Sequence, residues 1–62
     1  METPQYIVNI RIRAAKSEAE LTGSHVAKEL RKIAAKLQKG TKLTELDKGM
    51  LNHYNLKDHE SN

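Results

Sequence analysis

The chain has 62 residues, no cysteine, and eleven Lys/Arg against eight Asp/Glu, for a net charge of +3. That length allows one small domain, residues 1–62, which would bury only about 60% of its unfolded surface. Without cysteine there are neither disulfides nor thiolate zinc sites to supplement so thin a core, so oligomerisation, most simply a homodimer, is the expected remedy.

No stretch approaches the roughly 18 apolar residues of a membrane span. The opening "METPQYIV" lacks a basic region followed by an apolar run, so no signal peptide is indicated. These features predict a soluble, cytoplasmic protein with no membrane partner. The charge is uneven: residues 1–40 hold eight Lys/Arg against four Asp/Glu, and residues 41–62 hold three against four. Basicity with this asymmetry points toward nucleic acid, although many small domains are mildly basic.

The first element, "QYIVNIRIRAAK" (Gln5–Lys16), alternates with a period of two. Tyr6, Val8, Ile10 and Ile12 fall on one face; Gln5, Ile7, Asn9, Arg11 and Arg13 fall on the other. The alternation predicts a β-strand. Nothing else in the chain reads as a strand, so its unpaired N–H and C=O groups call for a symmetry mate. Two copies pairing antiparallel would make a two-stranded ribbon. The expected fold is therefore α+β: one N-terminal strand, then two or three helices, dimerised through the ribbon.

After the strand, Ser17 and Glu20 have the spacing of a capping box, and the pattern is helical to Lys39. Val26, Leu30, Ile33 and Leu37 make one apolar stripe, which extends backwards to the small residues Gly23 and Ala19. Lys28, Lys32, Lys36 and Lys39 lie opposite and read as the wet side of an amphipathic helix rather than as a phosphate track. Thr22-Gly23-Ser24 is good turn chemistry, with Ser24 a suitable N-cap, and predicts a break or kink. Gly40 is expected to end the helix in the left-handed conformation. A further helix follows, with Thr44 and Asp47 as a capping pair and Leu43, Leu46, Met50 and Tyr54 on its face. Leu51 sits at the margin of that face. Residues 1–4 and 56–62 are expected to fray.

A two-stranded ribbon fits the major groove of B-DNA, where Arg can bond guanine and Asn can bond adenine in a bidentate way. With "PQYIVNIRIRAA" followed by helices, the chain resembles the ribbon-helix-helix DNA-binding proteins of the Arc and MetJ type. The resemblance implies an obligate dimer acting as a repressor or as an antitoxin. It implies that Asn9 and Arg11 read base edges and that Arg13 reads bases or grips phosphate. The family's phosphate-holding turn would fall at Gly23-Ser24. Lys16 and Ser24 are thus the candidate phosphate contacts.

The expected function is a small DNA-binding transcriptional regulator acting on double-stranded DNA without a cofactor. The alternative is a protein-binding regulator or inhibitor acting through its helices or edge strand, in which Asn9, Arg11 and Arg13 are an ordinary solvated face. Nothing points to an enzyme. His25, His53 and His59 are far apart, His53 and His59 with Asp58 match no metal motif, and there is no glycine-rich phosphate loop.

Overall fold

The computed structural model describes residues 3–20 and 23–60. Its elements are three helices: α1 (Gln5–Ala19), α2 (Ser24–Lys39) and α3 (Glu45–His53). The expected α+β fold is thereby corrected, because no strand occurs among the described residues and the segment read as a ribbon strand is α1.

The burial of α1 gives the reason. Ile7, Ile10, Ala14 and Ser17 are its buried residues, at spacings of three and four that define a helical face. Ile7, assigned to the polar side of a strand, is only 2% exposed, whereas Ile12, assigned to its apolar side, is 58% exposed. A helix also satisfies its backbone groups within the segment, which a lone strand cannot do. The β-branched residues at 7, 8, 10 and 12 lower helix propensity by only tenths of a kcal/mol each. Burial of Ile7 and Ile10, about 1.5–3 kcal/mol apiece, outweighs that cost. The Pro4 carbonyl accepts from the N–H groups of Ile7 and Val8, both at 3.1 Å, and so opens the helix.

Ser17 is likewise corrected. It lies in the last turn of α1 as a buried residue, and its hydroxyl finds no partner, so no capping box forms with Glu20. Glu20 is extended and α2 begins at Ser24, so the chain does break here; Leu21 and Thr22 lie outside the described residues. Gly23, not Ser24, occupies the N-cap position of α2. Ala19 is exposed and does not extend the α2 stripe.

Ser17 meets Gly23, Glu18 pairs with Arg31 and Arg11 donates to Gln38, so α1 and α2 run in opposite directions. They enclose a core of Ile7, Ile10, Ala14, Ala27, Leu30, Ile33 and Ala34, which Leu51 of α3 completes. Val26 and Leu37 pack at its edge, so the expected α2 stripe stands, widened by two alanines. Three of these α1–α2 core residues are alanine, which lets the two backbones approach closely.

Gly40 ends α2 at φ 80°, with the Thr41 N–H reaching the Lys36 carbonyl at 2.8 Å and the Gly40 N–H reaching that of Leu37 at 3.3 Å. Thr44 and Asp47 form a complete capping box at the start of α3. The face of α3 differs from the sequence reading. Leu51 is buried while Leu46 is 86% exposed, and Met50 and Leu43 pack beside Leu51 against the core. Beyond α3, Asn55 takes a positive φ of 57° and Leu56 turns back onto the core, its N–H bonded to the Leu51 carbonyl at 2.8 Å. Of the ends expected to fray, Met1, Glu2, Ser61 and Asn62 lie outside the described residues.

Candidate nucleic-acid interface

Helix formation disperses the residues that would have lined a ribbon. At about 100° per residue, Asn9 and Lys16 share one side of α1 while Arg11 projects on another. Asn9 is exposed and accepts a 3.0 Å hydrogen bond from the Gln5 side chain. Arg11 is exposed and donates to Gln38 on α2. The Arg13 guanidinium lies 4.8 Å from the centre of the Tyr54 ring and 3.8 Å from the Glu20 carboxylate, so it ties α1 to the end of α3. Its Nε is buried without a hydrogen-bond partner. Lys16 is exposed in the last turn of α1, and Ser24 is exposed at the first position of α2. These five positions form no single surface.

The surface that does form lies on α2. Lys28, Lys32, Ala35 and Lys39 follow one another at spacings of four, three and four, all exposed, on the side away from Ala27, Leu30 and Ala34. Arg31 stands beside this line, and Lys42 is exposed just past Gly40. From Lys28 to Lys39 the ridge runs about 16 Å at the helical rise. Residues 24–42 carry six Lys/Arg against the single Glu29, a net of +5 in a chain whose total is +3. Glu29 is half-buried off the ridge, 3.8 Å from Lys32. Arg31 is paired with Glu18, and Lys28, Lys39 and Lys42 make no ion pair among the described residues.

Lys36, grouped with this row in the sequence, leaves it. Its ammonium bonds the Asp47 carboxylate at 2.7 Å and so fastens α2 to α3. That hydrogen bond holds Asp47 below the ordinary carboxylate value of 3.8, with further lowering from the Thr44 backbone and hydroxyl; partial burial opposes it. Arg31 and Lys42 escaped the sequence reading. The signal was available, since Arg31 follows Lys28 by three residues and Lys42 follows Lys39 by three.

Elsewhere the chemistry is sparse. His59 contacts Asp58 at 2.7 Å, which lowers the Asp58 pKa, and His53 meets the Tyr54 ring edge-on at 4.8 Å. Among the described residues no three His, Cys, Asp or Glu side chains gather as a metal set. A shallow concavity of about 220 Å³ lies between α3 and the tail, beside Lys48, Asn52, Lys57 and His59. No described helix is long and apolar enough to cross a membrane. Compared with family models, curated proteins and solved structures, the chain matches none.

Proposed function

We propose that this protein is a small DNA-binding regulator that grips the phosphate backbone of duplex DNA with the lysine ridge of α2. The observation that carries this reading is the ridge itself: Lys28, Lys32 and Lys39 in line and exposed on α2, with exposed Lys42 just past its end. Small Ala35 in its middle lets the helix backbone come close to a groove wall. A single α-helix fits the major groove, which is about 12 Å wide. Lysines contact phosphates without reading sequence, so the ridge supplies affinity and placement rather than base choice. A cysteine-free regulator of this kind is expected to work in the cytoplasm.

Binding through four lysines predicts a slope of about −3.6 in log affinity against log salt, or roughly a 150-fold loss between 50 and 200 mM salt. Fluorescence anisotropy with a labelled duplex measures it. The triple substitution K28A/K32A/K39A should flatten the slope by about 2.7. Absence of binding at low salt, or a triple variant with unchanged affinity and slope, would refute the proposal. A second reading, a protein-binding regulator acting through its helices, draws its support from the exposed Ile12 on α1.

A further inference from the structure

α1 carries one buried stripe and one outward apolar stripe. The inner one, Ile7, Ile10, Ala14 and Ser17, is buried against the rest of the fold. The outer one, Val8, Ile12, Ala15 and Ala19, has spacings of four, three and four, and points about 150° away from the first. Among the described residues it is largely uncovered: Ile12 is 58% exposed, Ala15 and Ala19 are exposed, and Val8 is half-buried. An apolar line of this kind on a helix offers a seam for a second helix.

The flanks carry charges of both signs, so they can match those of a second copy. Arg11 and Glu18 border one side of the seam, seven residues apart, and Asn9 and Lys16 border the other. We propose that a second copy of this chain docks here, with the two α1 helices antiparallel about a two-fold axis between Ile12 and Ala15. In that register Ile12 of each copy faces Ala15 of the other, and Val8 faces Ala19. Every layer thus sets a larger side chain against a small one, as close helix packing requires. Arg11 of each copy comes within about two residues' rise of Glu18 of the other, both contacts lying on one edge of the pair, while Asn9 and Lys16 meet across the other edge.

A parallel arrangement does the reverse. It stacks Ile12 on Ile12 and leaves alanine opposite alanine, although its flanks, with Lys16 of one copy beside Glu18 of the other, are also matched in charge. Shape therefore selects the antiparallel orientation, and charge is compatible with it. Within one chain Glu18 already pairs with Arg31. That contact is half-exposed on both sides and worth little, so it leaves Glu18 available for sharing. The seam is short, about 16 Å of helix, and belongs to the class of small, reversible interfaces. This dimer is independent of DNA binding.

Sedimentation of the full chain without DNA, over micromolar to millimolar concentration, should show a reversible monomer–dimer equilibrium. Ile12→Glu, and separately Ala15→Lys, should shift its midpoint upward by at least tenfold while the far-UV circular dichroism stays helical, because both positions are exposed. Orientation is read by cross-linking, which the cysteine-free sequence makes simple. A mixture of V8C and A19C chains should form the mixed disulfide under mild oxidation, whereas A19C alone should remain uncross-linked. A chain monomeric throughout, a dimer indifferent to both seam substitutions, or an A19C–A19C dimer would overturn the proposal.

Discussion

Two glycines with opposite surroundings give the sharpest test of the helical hairpin. Gly49 lies inside α3, and a methyl group added there would meet nothing within 4 Å. Gly49→Ala should therefore stabilise the protein by about 1 kcal/mol, the helix-propensity difference. Gly23 has φ −101° and ψ 4°, which alanine adopts without strain, so the backbone alone would favour Ala by about 0.4–1 kcal/mol. Its surroundings decide otherwise. A Cβ at Gly23 would sit 2.7 Å from the Ser17 carbonyl carbon and closer still to its oxygen. Since carbon atoms pack at about 3.5–4.0 Å, the start of α2 would have to retreat from α1 by roughly 1 Å. Overpacking of this kind costs about 1–3 kcal/mol, and Ala is also the poorer N-cap residue. The two variants should differ by about 2–3 kcal/mol in opposite directions from the parent. In thermal melts a domain of this size shifts by about 4–8 °C per kcal/mol, so the midpoints should separate by at least about 8 °C. A Gly23→Ala variant as stable as the parent would show that α1 and α2 do not meet at Ser17.

Other consequences follow from the same contacts. Asp47→Ala removes both the capping box and the Lys36 ion pair, and should cost about 1–2 kcal/mol in urea unfolding. Because the Asp47 pKa is lowered by folding, its contribution is complete above the unfolded value of about 3.8 and is lost as pH falls through the folded one. Acid titration of the parent should show this loss below about pH 4, and that of Asp47→Ala should show less of it. Arg13→Ala should destabilise by about 1 kcal/mol through loss of the Tyr54 contact, with Tyr54→Leu recovering little. If Arg13 held phosphate and nothing else, its removal would leave unfolding unchanged. Ile10→Ala, at a fully buried site, should cost about 2–5 kcal/mol, a large share of the stability available to so small a domain.

Legibility in the sequence followed how local each signal is. The Gly40 stop, the Thr44–Asp47 capping box and the α2 stripe through Leu30 and Ile33 depend on residues within one or two turns, and each stands in the structure. The break near Gly23 was also readable, because glycine between polar residues favours a turn over a continued helix. The lysine row was half legible. Its spacing is helical, but only the position of α3 reveals that Lys36 turns to Asp47 while Arg31 and Lys42 flank the ridge.

Residues 5–16 were not decided by sequence pattern. Their apolar residues at 6, 8, 10 and 12 fit a strand, and those at 7, 10 and 14 fit a helix equally well. A two-residue period and a 3.6-residue period overlap when apolar residues are this dense. What resolves them is the partner surface: α2 offers Ala27, Leu30 and Ala34 along one side, and a helix bringing Ile7, Ile10 and Ala14 covers it. The same choice places Ile12 outside, turns Arg13 onto Tyr54, and moves the basic surface from a ribbon to α2. Thus composition, caps and stops were determined by the sequence on its own. The identity of the first element, and with it every candidate contact from Asn9 to Lys16, was decided by burial against a helix that follows it in the chain.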